Sequence, residues 1–107
     1  LGAFVLLGKD QALRLPLSGV IPQTIANGVY RGSYQGFRFS NAVEVTVKEH
    51  RITDIRVTQK QVFAKPETIA AMTGRVLAAQ TTAVDAVSGC TADSRAFLKA
   101  VENALEP

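Results

Sequence analysis

The steadiest alternation of apolar and polar positions runs from Val43 to Lys48. Val43, Val45 and Val47 fall on one side, and Glu44, Thr46 and Lys48 on the other. A period of two with β-branched apolar residues marks a half-buried antiparallel strand, predicted here over residues 37–48. The next strand is predicted over residues 51–59. Thr53, Ile55, Val57 and Gln59 share one face, and Asp54, Arg56 and Thr58 the other. Ile52 is out of phase, which predicts a bulge or burial on both faces near the turn. Glu49-His50 forms the hairpin tip, without the Asn-Gly or Asp-Gly that a tight primed turn favours. Upstream, the Asn27-Gly28 turn leads into a strand over residues 29–34. Gly32 in that strand predicts a bulge or a close backbone approach, and Gln35-Gly36 forms the connection to the next.

The period changes after Lys65. Pro66 at a first helical position and Glu67 in the first turn start a helix. Ile69, Met72, Thr73, Val76 and Leu77 form its apolar stripe, which ends near Gln80. Gly74 weakens this helix and is expected to let it lie close to a strand. Residues 81–84 form a short extended link or a brief edge strand. In the last helix Phe97, Ala100, Val101, Ala104 and Leu105 mark the buried side, with Arg95, Lys99, Glu102 and Asn103 on the wet side. Residues 9–27 carry Pro16, Ser18-Gly19 and Pro22, which break regular structure. They form a lead-in with a short helical turn before Pro16. Leu13, Leu15, Leu17, Val20 and Ile21 are expected to pack it onto the rest. The order of strand, strand, strand, helix, link and helix predicts an α+β fold, a twisted antiparallel sheet packed against two helices on its valine face.

Composition narrows the function. At 107 residues, 47% hydrophobic and 20% charged, the chain is one domain with a modest core and no disorder signature. The net charge of +3 gathers into one locally basic stretch, residues 48–65. There Lys48, Arg51, Arg56, Lys60 and Lys65 alternate with Glu49 and Asp54, and few aromatics are present to stack bases. This reads as a solvated sheet face, with no nucleic-acid partner. Cys90 is the single cysteine and His50 the single histidine. That excludes an internal disulfide and leaves too few ligands for a structural zinc site. A catalytic triad would have to use His50 at an exposed turn. Residues 1–8, LGAFVLLG, are apolar but too short to span a bilayer and lack a basic flank. They read as the end of a membrane anchor or as a segment packing on the domain.

The chemistry concentrates in residues 85–94, DAVSGCTADS, which run through small, flexible positions into the last helix. Asp85, Ser88, Gly89, Cys90, Thr91, Asp93 and Ser94 are the candidate binding residues. A helix start has unpaired N–H groups and a partial positive charge, so it can hold a phosphate. The plainer reading is a cap, with Thr91 as N-cap and Ser94 three residues on. Cys90 reads either as a small replacement for alanine or as a thiol made reactive by the helix start.

The order of elements together with this stretch resembles the FMN-binding domain family. Its members include one component of the sodium-translocating NADH:quinone reductase and one of the related Rnf electron-transport complex. Asn27-Gly-Val-Tyr-Arg-Gly is similar to the family's D-G-x-Y-x-G opening. Residues 43–48 and 51–57 resemble its central hairpin, and residues 85–94 resemble its D-x-x-S-G-A-T-x-T/S signature. The resemblance implies FMN as cofactor, electron transfer as activity, and redox partner proteins of a membrane complex. It also implies an extracytoplasmic position on a bacterial membrane or secretion, with a membrane anchor before residue 1 as a further expectation. In the family a flavin transferase joins FMN through its phosphate to the Thr or Ser that closes the signature. Here Asp93 stands at that position, and a carboxylate cannot form the phosphoester. The expectation is therefore a non-covalent FMN electron carrier rather than a self-contained enzyme. The alternative is a flavin-free structural or interaction module of an envelope complex. The connector between Lys60 and Pro66 is also shorter than in typical members, which would remove part of a flavin or partner contact.

Overall fold

A computed structural model describes residues 7–106. The expectation for the first apolar residues therefore lies mostly outside the described residues. Three strands, β1 (Gly28–Tyr34), β2 (Asn41–Lys48) and β3 (Arg51–Gln59), form an antiparallel sheet in the order β1-β2-β3. Helices α1 (Lys9–Leu13), α2 (Pro66–Ala79) and α3 (Thr91–Leu105) complete the fold, with a short 3-10 turn at Pro22–Thr24. The architecture is α+β, as the pattern predicts.

The core is the valine face of β2 closed by α3. Val43, Val45 and Val47 are buried and pack with Phe97, Leu98, Ala100, Val101, Ala104 and Leu105. Helix α2 adds Met72 and Val76 to the same cluster. Gly32 explains how β1 comes under α3. A Cβ there would lie 2.2 Å from the Ala104 nitrogen and 2.4 Å from the Ala100 oxygen. Only a residue without a side chain fits, so the close-approach half of the Gly32 expectation holds and β1 pairs with β2 in unbroken register.

Ile52 pairs with Val47 and Asp54 with Thr46, so Thr53 is the extra residue of a bulge. The bulge flips the phase: Ile52 and Ile55 are both buried, while Thr53 is exposed rather than sharing the inner face with Ile55. Glu49 and His50 take φ of 51° and 62°. Both central residues are therefore left-handed, as a primed two-residue turn requires, although neither is the favoured Asn or Gly. The Asn27 Oδ1 accepts a 2.7 Å hydrogen bond from the Glu49 N–H and helps hold it.

Other expectations are corrected. The strand predicted from residue 37 begins at Asn41, because Phe37 has a φ of 54°. The Phe39 and Ser40 N–H groups there turn back to the carbonyls of Gly36 and Phe37. Gly74 has open space around its Cα, so it contacts no strand. Among the described residues, no strand pairs with residues 81–84. Instead the Thr82 hydroxyl is buried and accepts from the Val20 N–H at 3.0 Å. Leu13 and Ile21 remain exposed, and Ala12, Val20 and Pro22 are the lead-in's buried apolar side chains. Glu102, assigned to the wet side, is buried. Its carboxylate accepts from the N–H groups of Ser18 and Gly19 and from the Thr82 hydroxyl. The loop of the lead-in, not water, covers that side of the helix. At the edge of the sheet the Gln80 side-chain amide accepts from the Ile52 N–H at 2.7 Å and donates to the Ile52 carbonyl at 2.9 Å. Among the described residues no helix is long and apolar enough to cross a membrane.

Candidate functional site

A second, smaller apolar cluster builds the site. Ala12 of α1, Phe39 ahead of β2, and Ala92 and Ala96 of α3 bury against one another, with Leu15 and Tyr34 at their margin. Small residues on α1 and α3 let the two helices meet over the Phe39 ring. Truncating a buried Phe of this kind costs about 3–5 kcal/mol, so the arrangement is firmly held. Above this cluster lies a cavity of about 360 Å³, lined by Lys9, Leu13, Arg38, Gly89, Cys90, Thr91, Ala92 and Asp93.

The floor of the cavity is the start of α3. Cys90 takes the N-cap position and no side chain caps the helix. The expected cap, Thr91, is instead the first helical residue. Gly89, at φ 81°, lets the chain turn into the helix, and the space beside its Cα is open. The first-turn N–H groups of α3 have no partners within the helix, and the cavity lies against them. Two cationic side chains line it, Lys9 and Arg38. The Arg38 guanidinium stacks 4.1 Å from the centre of the Phe39 ring and donates to the Val62 carbonyl at 3.2 Å.

Asp93 sits in the first turn, with Arg38 Nη1 at 3.5 Å from its Oδ1. That oxygen is buried and accepts no hydrogen bond. Burial pushes the Asp93 carboxyl up from its usual range, against the opposing pull of Arg38 and Lys65. Desolvation outweighs the two cations, so the neutral form is easier to reach than for an exposed aspartate. Gln61 adds a second orphan. Its Nε2 donates to the Asp93 carbonyl at 2.9 Å, while its buried Oε1 has no partner.

Of the candidate residues, Gly89, Cys90, Thr91 and Asp93 come together on this cavity. Asp85 and Ser88 lie on a separate shallow groove with Arg75, whose Nη1 donates to the Asp85 carbonyl at 2.8 Å. Ser94 is fully buried. Its hydroxyl donates to the Cys90 carbonyl at 2.7 Å and accepts from the Val87 N–H at 3.0 Å. It is a brace within the turn. The Cys90 Sγ accepts from the Thr68 hydroxyl at 3.4 Å, which ties α2 to the site. The sequence pattern did not reveal Lys9, Arg38 and Gln61. Each is an isolated polar residue in an irregular segment, and no spacing links it to residues 85–94. The connector reaches the first turn of α3 through the Gln61 hydrogen bond to the Asp93 carbonyl.

The family model described as FMN-binding domain matches residues 36–106, which include β2, β3, α2 and α3. No curated protein matches the chain.

Proposed function

The chain belongs to the FMN-binding domain family and its cofactor is FMN; from that premise we propose that it carries FMN non-covalently, as an electron-transfer domain. The observation that carries this reading is Asp93, a carboxylate at the position where the family resemblance expects a hydroxyl. The residues on the cavity fit the phosphate end of the cofactor. Lys9 and Arg38 supply positive charge, and the uncapped start of α3 supplies N–H donors. Asp93 lines the cavity, and its Oδ1, which accepts no hydrogen bond, suits a hydroxyl donor such as those of the ribityl chain.

Bound FMN supplies the electron chemistry through its own ring system. What this chain contributes is binding and orientation. An ionised Asp93 would repel a phosphate: two unit charges at 4 Å interact by about 4 kcal/mol at a protein-surface dielectric. Burial pushes the Asp93 carboxyl up, which lessens that repulsion, and the Arg38 guanidinium 3.5 Å away offsets the charge of the ionised form. Ser94 does not substitute as an acceptor, since its hydroxyl is engaged on both sides.

We further propose that its electron partners are proteins of a membrane complex and that it works outside the cytoplasm of a bacterium. Support for this comes from the family resemblance alone. The same Asp93 also favours a second reading, a flavin-free interaction module that keeps the fold.

The deciding experiment uses protein purified from a host that expresses a flavin transferase. Flavin absorbance is recorded before and after denaturation and desalting, with an intact mass. The expected result is flavin released on denaturation and no mass increment. Flavin retained after denaturation overturns non-covalent binding. A colourless protein that takes up no added FMN favours the second reading. Asp93→Thr in the same host is expected to gain the mass of covalent flavin.

A further inference from the structure

The outer face of the sheet, opposite the valine face, carries two rows of charge that are completed differently. In the first row Arg31, Glu44 and Arg56 stand side by side across β1, β2 and β3. Arg31 Nε donates to Glu44 Oε2 at 2.8 Å, and Arg56 Nη2 donates to Glu44 Oε1 at 2.9 Å. One carboxylate therefore satisfies two cations, and their hydrogen bonds hold it below the usual carboxylate range. In the second row Lys48 stands directly opposite Arg51, and both are exposed. Like charges placed this way repel. Among the described residues neither forms an ion pair, although Glu49 and Asp54 are close in sequence.

Beside this pair lies a hollow of about 670 Å³, lined by the short side chains of Val29, Thr46 and Thr53 and by the longer Lys48, Glu49 and Arg51. Val29 is 60% exposed, an apolar side chain between the two charged rows. None of these residues lines the cavity at α3. Protein interfaces combine an apolar centre with a polar rim, and complementary charge selects the partner. A carboxylate from outside, set between Lys48 and Arg51, would do there what Glu44 does between Arg31 and Arg56.

We propose that this face docks an acidic surface of a partner protein, with a partner carboxylate between Lys48 and Arg51 and a partner apolar side chain on Val29. The inference goes beyond the flavin reading and holds with or without FMN bound. It is tested by titrating a short peptide of alternating glutamate and leucine into isotope-labelled protein and following the amide shifts. Shifts are expected at Val29, Thr46, Lys48, Arg51 and Thr53, and they should weaken as salt is raised. Lys48→Gln/Arg51→Gln is expected to bind about tenfold more weakly and, with the repulsion gone, to melt no lower than wild type. Arg14→Gln/Arg75→Gln removes as much charge from elsewhere on the surface and should bind as wild type does. Wild-type affinity in Lys48→Gln/Arg51→Gln overturns the proposal. So does a lower melting temperature of that variant, which would make the pair part of the fold. Equal weakening in Arg14→Gln/Arg75→Gln reduces the effect to net charge and overturns it, as does an equal response to a lysine–leucine peptide. Phosphatidylglycerol vesicles that bind through Lys48 and Arg51 while the acidic peptide shifts nothing would give the face to a membrane instead.

Discussion

Helix α3 carries two carboxylates inside the fold, and they are treated in opposite ways. Glu102, near its C-terminal end, is 1% exposed and accepts hydrogen bonds from Ser18, Gly19 and Thr82. Asp93, in its first turn, has one buried oxygen that accepts none and an arginine nitrogen at 3.5 Å. A fully satisfied buried network rigidifies and specifies a structure, whereas an unsatisfied group retains capacity to bind something else. Glu102 therefore spends its charge on the lead-in, which it clamps to α3. Asp93 keeps part of its capacity in the lining of a cavity. Burial alone does not identify a functional carboxylate; the number of donors it has already met does.

The sharpest way to break this comparison is at Glu102. Glu102→Ala strands two backbone N–H groups and a hydroxyl, and is expected to lose about 3 kcal/mol or more in a urea titration. Glu102→Gln should lose less, and at temperatures where it is folded its FMN affinity should match wild type. A change in affinity would place Glu102 in the site and end the distinction.

Asp93→Asn should move stability the other way. The folded carboxyl is held above its unfolded value by burial. Its stabilising contribution is therefore complete below the unfolded pKa, near pH 4, and is lost as pH rises through the folded pKa. The variant is expected to be more stable than wild type at neutral pH, by on the order of 1 kcal/mol, the cost of one poorly satisfied buried group. The gain should fade below about pH 4. Thermal melts from acid to neutral pH check this, and a gain that does not vary with pH would remove the charge from the explanation.

The smallest effect calibrates the other two. Gly74→Ala on α2 meets no atom within 4 Å and should add about 0.5–1 kcal/mol through helix propensity. It should leave flavin binding unchanged, since Gly74 lines none of the cavity.

The fold was legible wherever one residue's placement repeats with a period. The valine alternation of β2, the Pro66 start of α2 and the apolar stripe of α3 all recur in the structure. The out-of-phase Ile52 correctly announced a bulge. Legibility failed where a side chain's environment is supplied by distant, irregular chain. Glu102 looked solvent-facing on the helical wheel because the loop that buries it lies at Ser18 and Gly19. The candidate site was half legible. The turn from Gly89 to Asp93 was readable because its residues are adjacent, but Arg38 joins it through its stacking on Phe39 and its ion pair with Asp93, and Lys9 through the packing of α1 on α3, none of which a spacing encodes.

Gln80 has a consequence beyond the helix it ends. Its amide meets both the N–H and the carbonyl of Ile52 on the outer rim of β3, so one side chain stands in for a residue of a fourth strand. An intruding chain that sought to lengthen the sheet there would first have to evict it. With exposed Arg51, Asp54 and Arg56 along the same strand, this gives a small sheet with two open borders a guarded one, and it keeps neighbouring molecules from joining sheet to sheet.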